Sequence, residues 1–410
     1  MKLEQAVCVE DMARLARQAL PRIAYDFIDG GVEGEVGLAR NRSEFDRYKL
    51  LPRYLVDVAG RPQTVTLFGR EYTAPFGVSP MGLAGFFRKG ADLMIARAAA
   101  KAGVPYIMSS ASCDSIEAAV KEAPGTTWFQ IYGTRNPDIT MDLVRRARAL
   151  DVPVLVMTID TPVIGKRERN MRNGFRRPMK MTPDVILQGL SRPAWTLAYL
   201  REGGIPMMQN WQPYAAAGAS ADDVADLYGT ETPAPGQTWE ILEAVRAAWP
   251  GPLAVKGVLH PDDARRAQAI GADGLVVSNH GGRQLDSAPA PIEMLPAIVE
   301  ATGGRMEILV DSGVRRGSDI GKLLCLGARA ALVGRPAMFG AAAAGEPGVA
   351  HVFRILRQEI DLLMGQMGWP DLSAARPECL IDTRSPDQPM RRAATAPEPA
   401  PGHLKKVAMP

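Results

Sequence analysis

Around residue 280 the chain reads SNHGGRQLD (278–286), a histidine followed by two glycines and an arginine. Imidazole takes up a proton near neutral pH, and a guanidinium presents a planar fork to a carboxylate. The glycines permit a tight turn between them. His280 and Arg283 therefore suit removal of a proton from an acid whose carboxylate is held alongside. Two later fragments, DSGVRRGSDI (311–320) and VGRPAMFG (333–340), each place glycines beside an arginine at a helix start. Exposed N–H groups and a cation together receive a phosphate dianion. Other polar residues punctuate apolar runs: Ser109 and Ser110 in YIMSS, Gln130 and Tyr132 in TWFQIY, Thr158 and Asp160 in VLVMTID, Lys256 in LAVKG. An inward lysine requires an ion pair within the core or a bound acceptor, because an unpaired buried ammonium is costly.

These residues need a scaffold, and its period is visible. Eight short β-rich runs bounded by Gly, Pro, Asn or Asp occur at 76–81, 106–110, 127–132, 154–160, 253–257, 274–280, 307–313 and 330–336. Helical patterns lie between most of them, among them 92–103, 137–150, 261–272 and 318–328. Strict alternation predicts a parallel sheet with right-handed crossovers. Eight units predict an α/β fold of the (β/α)8 barrel type, preceded by an N-terminal helical segment. The candidate residues sit at the C-terminal ends of the runs, where barrel enzymes build their sites. One gap is far longer than the others. Residues 170–237, after the fourth run, mix basic, Met-rich and Trp-bearing sequence with a Ser/Ala/Asp-rich stretch. They read as an inserted, partly mobile loop on the active-site face. The barrel domain is expected to span 1–382, and 383–410, rich in Pro and Ala, to be a disordered tail.

Of the 410 residues, 46% are hydrophobic and 23% charged, enough apolar material for a large core. The net charge of +3 gives no reason to expect a nucleic-acid partner. Cys8, Cys113, Cys325 and Cys379 form no metal-ligand spacing, so no metal is expected, and reduced cytoplasmic thiols are. Nowhere do eighteen apolar residues run together, and the N-terminus has no signal-type apolar region, so neither a spanning helix nor a signal peptide is expected.

At SNHGGRQLD, DSGVRRGSD and VGRP the chain resembles the FMN-dependent L-2-hydroxy acid oxidase and dehydrogenase family, which includes glycolate oxidase, L-lactate dehydrogenase and (S)-mandelate dehydrogenase. AYDFIDGG (24–31), WFQIY (128–132), DTPVIGKRER (160–169) and LAVKG fall in the family's order, so the likeness covers about 24–382. The resemblance implies FMN held by Ser109, Gln130, Thr158, Lys256 and Ser278, with its phosphate on Asp311, Gly313, Arg315, Gly334 and Arg335. Pro80, Met81 and Gly82 would approach the ring through backbone atoms. Arg283 and Tyr25, with Arg167 nearby, would clamp the substrate carboxylate, and Tyr132 would contact the substrate hydroxyl. His280 would be the base, with Asp160 stabilising its charged form. The same likeness implies a homo-oligomer, a tetramer.

Two positions resemble the mandelate dehydrogenase branch. Ala111 stands where glycolate oxidase has a bulky Trp, leaving room for a phenyl or long alkyl group, and Gly82 stands where the oxidases tend to carry Ala. The expected activity is oxidation of a mandelate-like or other bulky L-2-hydroxy acid, or of L-lactate, with a quinone-like acceptor; the alternatives are an oxidase that uses oxygen and releases hydrogen peroxide and, further off, a non-catalytic flavin-binding scaffold. In that branch the insertion meets the inner face of the cytoplasmic membrane. Here Arg176, Arg177 and Lys180 lie close to Met179, Met181, Ile186, Leu187, Leu190, Trp195 and Leu197, a composition suited to a peripheral helix on anionic lipid or to a lid with a solvated basic face.

Overall fold

The computed structural model describes residues 1–175, 181–201 and 203–384. All eight runs become strands: β1 (Phe76–Val78), β2 (Tyr106–Ser109), β3 (Thr127–Tyr132), β4 (Leu155–Thr158), β5 (Leu253–Val258), β6 (Gly274–Val277), β7 (Glu307–Val310) and β8 (Ala330–Val333). They pair in parallel, and β8 returns to β1 from Ala331↔Phe76 to Val333↔Val78, closing a (β/α)8 barrel.

Side chains on a strand point alternately to its two faces, and this period divides the core. Phe129, Ile131, Leu155, Met157, Leu253, Val255, Leu275 and Val277 face outward beneath the helices. Ile107, Trp128, Val156, Ala254, Val276, Leu309 and Leu332 fill the barrel's interior. Counting onward in steps of two from the inward set reaches Ser109, Gln130, Tyr132, Thr158, Asp160, Lys256, Ser278, His280, Asp311 and Gly334. The polar residues thus occupy the upper inward positions above an apolar plug. A hairpin, Val65–Leu67 with Arg70–Tyr72, belongs to that plug. Trp128 Nε1 donates to the Tyr72 hydroxyl at 3.0 Å, and Phe68 meets Trp128 edge-on at 5.4 Å.

The insertion is more helical than its composition suggests, with helices at Pro183–Leu190, Pro193–Arg201 and Ala221–Glu231. Its Ser, Thr, Asp and Pro residues act as helix starts: Thr182 caps Val185 N with Pro183 behind it, and Ser220 forms a capping box with Asp223. Residues 176–180, with the basic cluster and Met179, lie outside the described residues.

The chain ends are tied together. Tyr48–Leu50 pairs antiparallel with Leu380–Asp382, and Arg47 grips Asp382 through two hydrogen bonds of 2.8 and 2.6 Å. Thr383 and Arg384, expected to open the tail, also bond back, to Arg47 O and to the buried Glu44; 385–410 lie outside the described residues. The hydrogen bond from Arg47 holds the Asp382 carboxyl below its ordinary range. Its contribution is therefore complete above about pH 4 and fades as pH falls through the lowered value. Asp382→Ala is expected to cost about 1–3 kcal/mol in denaturant unfolding at neutral pH, the range for a hydrogen bond to a charged group, and to cost less in acid.

Candidate active site

A cavity of about 440 Å³ opens at the C-terminal end of the barrel. His280, Arg283, Lys256, Tyr132 and Arg167 line it, as do Ala111, Pro80, Met81, Gly82, Asp311, Gly313, Arg315, Gly334 and Arg335. Sequence positions 255 residues apart thus converge on one chamber.

His280 begins a turn in which three successive residues are left-handed, with φ of 57°, 70° and 71° at His280, Gly281 and Gly282. Only the glycines adopt this without cost. The turn carries the imidazole to Asp160, with Nδ1 2.9 Å from Oδ1. Burial and its neighbours hold His280 below the ordinary histidine value, although the Asp160 carboxylate opposes this. Burial pushes Asp160 upward, but the charges of His280 and Lys256 outweigh it and keep the group below its ordinary range. Both directions describe one state: neutral imidazole beside a carboxylate. Nδ1–H donates to Asp160, and Nε2 is left as an acceptor.

Arg283 donates to the carbonyls of Phe27 (2.7 Å) and Gly30 (2.9 Å), and Arg335 to those of Ile28, Gly30 and Gly281 at 2.9 to 3.0 Å. Phe27 and Ile28 belong to the last turn of helix Arg22–Asp29, and Gly30 is its C-cap. A helix end leaves carbonyls without partners and bears negative partial charge, so two arginines complete it. Carbonyls do not neutralise them. Burial, with Arg167 and Arg335 adding repulsion, pushes Arg283 well down; burial with like-charged neighbours pushes Arg315 down to about 9, and burial pushes Arg335 down to about 10. Such a set calls for anions.

The residues fit FMN. Gln130 Nε2 and Thr158 Oγ1 are buried with no partner, although Ser109 Oγ donates to Gln130 Oε1 at 2.8 Å. Strand register sets Thr158 between Tyr132 and Lys256, and Lys256 Nζ donates to Ser278 Oγ at 3.1 Å. Orphaned groups beside an ammonium are what a polar heterocycle completes. Gly313 has φ of 90° and is pressed against the Asn41 carbonyl oxygen, so this turn, where the phosphate would sit, requires glycine.

Two expectations change. Asp311 accepts from Ser79 and Ser312 at 2.9 Å each and lies 3.5 Å from Lys256 Nζ. A carboxylate repels a phosphate, so Asp311 serves as the counter-ion of Lys256, and the ion pair allowed for that lysine is real. Tyr25 is not among the residues lining the cavity; its ring stacks on Phe339 at 6.1 Å. Phe27 takes the place beside the arginines, its ring centroid 4.9 Å from the Arg283 guanidinium carbon and 5.8 Å from that of Arg167.

An aromatic wall had no sequence signature beyond scattered phenylalanines. Phe27, Phe87, Phe175, Met208 and Tyr228 line the cavity, with Phe27 packed on Phe87 at 5.7 Å and on Phe175 at 4.7 Å. Gly82 and Ala111 face one another, such that a Cβ on Gly82 would lie 3.0 Å from Ala111 Cβ. Both small residues leave the same space open.

Comparison with known proteins agrees with this chemistry. The family model described as FMN-dependent dehydrogenase matches residues 16–382. (S)-Mandelate dehydrogenase of Pseudomonas putida is 40% identical over 372 residues, 91% of this chain and 93% of that protein. 4-Hydroxymandelate oxidase of Amycolatopsis orientalis is 40% identical over 90% of this chain and 97% of its own. L-Lactate dehydrogenase of Caulobacter vibrioides is 38% identical over 92% and 97%. The crystal structure of the monotopic membrane protein (S)-mandelate dehydrogenase superposes with a TM-score of 0.88 at 40% identity, covering 92% of this chain and all of that one. The chain belongs to the FMN-dependent dehydrogenase family, whose members oxidise 2-hydroxy acids with FMN as cofactor.

Proposed function

We propose that this enzyme oxidises an L-(S)-2-hydroxy acid with a bulky, aryl-type side chain to the 2-oxo acid and passes the electrons to a quinone-like acceptor. The observation that carries the substrate class is the pairing of Arg283 and Arg167 over Phe27 with an apolar wall beyond, a carboxylate seat next to a ring-sized space. Relatives named for mandelate and hydroxymandelate support it.

Arg283 and Arg167 take the carboxylate and turn the hydroxyl-bearing carbon toward His280. Burial pushes the Tyr132 phenol well up, so it stays protonated and donates to the substrate oxygen. His280 accepts a proton at Nε2 while Asp160 stabilises the resulting imidazolium. Bound FMN supplies the acceptor for the substrate's two electrons. Lys256 brings positive charge to that end of the chamber.

Because His280 must be neutral, kcat/KM is expected to rise with pH through a value below the ordinary histidine range and then level off. In Asp160→Asn the carboxylate that favours the imidazolium is gone. The acid limb should move lower still, and kcat should fall by about 10²-fold. A limb that stays put would separate Asp160 from the proton transfer.

Anaerobic bleaching of the bound flavin by a panel of L- and D-2-hydroxy acids tests the substrate class. Fast bleaching by L-mandelate and slow bleaching by L-lactate is expected, with Ala111→Trp reversing the order. Comparable turnover with oxygen alone and with a quinone analogue would replace the dehydrogenase reading with an oxidase, the activity for which 4-hydroxymandelate oxidase is named.

The insertion is proposed to rest on a membrane surface. Met181, Ile186, Leu187, Leu190, Leu197 and Leu200 are between 45% and 69% exposed, a density of apolar side chains suited to an interface. Among the described residues no helix is long and apolar enough to cross. Trp195 departs from the expected lipid-facing set: it is folded inward, donating to Phe87 O at 3.1 Å. The intact protein should float with anionic liposomes and, in Leu187→Glu/Leu190→Glu, remain in the soluble fraction.

A further inference from the structure

Asn41 lies on helix Val36–Ser43 and is 1% exposed. Its carboxamide makes a reciprocal pair with that of Asn279: Asn41 Nδ2 donates to Asn279 Oδ1 at 2.9 Å, and Asn279 Nδ2 donates back to Asn41 Oδ1 at 2.7 Å. Asn279 immediately precedes His280. Its Oδ1 also accepts from Gly282 N at 3.1 Å, closing the left-handed turn, and its Nδ2 reaches Pro289 O at 3.2 Å. The backbone of Asn41 faces elsewhere. Its carbonyl oxygen abuts Gly313 closely enough to exclude any side chain there, and the neighbouring Arg42 bonds Gly313 O and Asp319.

We infer that Asn41 is a positioning residue that sets the register between the His280 turn and the phosphate-binding turn. The inference rests on the reading of His280 as the base. A left-handed non-glycine residue costs of order 1–2 kcal/mol and persists only where its surroundings over-determine it. Near His280 the restraints on the turn include the Asn41–Asn279 pair, His280 N donating to Ser278 Oγ at 3.0 Å, Gly281 N donating to Ser312 Oγ at 2.9 Å, and Val32 N and Arg335 donating to the carbonyls of Gly282 and Gly281 at 3.1 and 3.0 Å. Ser278 stands on the turn's own strand and Ser312 at the end of the neighbouring one. The asparagine pair is the side-chain tie that joins His280's immediate neighbour to the outer helix that also braces Gly313. The helix is pressed on this loop along its length, since a Cβ on Gly282 would meet Leu38 N at 2.7 Å and Gly37 N donates to Asp286 at 2.9 Å. Loss of the pair leaves the far end of the turn packed on the helix but unties the residue beside His280, so that the imidazole can shift relative to the cofactor's anchor. Shifts of about 1 Å at a reacting centre cost roughly 10²-fold in rate.

The test measures flavin reduction by saturating substrate, KM, FMN dissociation and thermal stability in holoenzyme carrying Asn41→Ala, Asn41→Asp, Asn279→Ala or the double alanine variant. Asn41→Ala is expected to slow reduction at least tenfold while KM and FMN affinity change less than threefold. Asn41→Asp, which keeps the shape and one acceptor, should fall between wild type and alanine. The double variant should be no slower than Asn279→Ala, because Asn41 acts on the turn through that residue. Wild-type reduction in the Asn41 variants, additive losses, or a loss seen only as weaker FMN retention would overturn the assignment. His280→Ala provides the reference: if it too reduces flavin at the wild-type rate, the base assignment fails instead.

Discussion

Four half-buried guanidinium groups, those of Arg167, Arg283, Arg315 and Arg335, line one cavity without a carboxylate partner among the described residues, and the rest of the site is arranged around that fact. Leaving a charge buried and unpaired costs several kcal/mol. The protein reduces the cost with carbonyl oxygens, chiefly those at the end of helix Arg22–Asp29. The N-terminal helix outside the βα repeat thus turns the negative end of its dipole to the cavity, while the carboxylate of its last residue, Asp29, is taken by Arg169.

The remaining charges follow the same logic. Asp160 answers His280 and Asp311 answers Lys256, leaving the arginines to ligands. Five fixed cations against two carboxylates leave three positive charges, close to the charge of one phosphate monoester, about −2, plus one substrate carboxylate. On the proposed reading, these two ligands would balance the charges that line the chamber. Ligands that bind the folded state alone also stabilise it by mass action, so cofactor and substrate belong to the energetics of this fold as much as to its chemistry.

The barrel was legible because a strand's alternation is local: TWFQIY carries its own inward set in Trp128, Gln130 and Tyr132, and no distant contact alters that parity. His280 and Arg283 were legible for a similar reason, since both sit in one nine-residue turn. Asp311 was not, because its role depends on which of two nearby charges it faces, and Lys256 lies 55 positions away in sequence. Tyr25 and Phe27 show the limit sharply. Two residues apart on a helix, they point in different directions, and choosing between them requires knowing how the helix is rotated on the barrel. The insertion misled for a further reason. Its Ser, Thr, Asp and Pro residues are turn formers in composition and helix starts in place, and Thr182, Pro183 and Ser220 are used in the second way.

The same insertion joins two features that the sequence presents as separate. Phe27 packs on Phe175 at 4.7 Å, Phe175 on Phe86 at 5.6 Å, and Phe86 on Trp195 at 5.7 Å, while Trp195 stacks on Tyr199 at 5.0 Å. One aromatic column thus runs from the ring beneath Arg283 and Arg167 to helix Pro193–Arg201, whose other residues include the exposed Leu197 and Leu200. Interiors pack at crystal-like density and transmit displacement, so the helix cannot shift on its outer side without moving the column on its inner side. The cavity's aromatic wall and the apolar surface outside it are therefore joined through packed rings. A change in either face is a change in the constraints on the other.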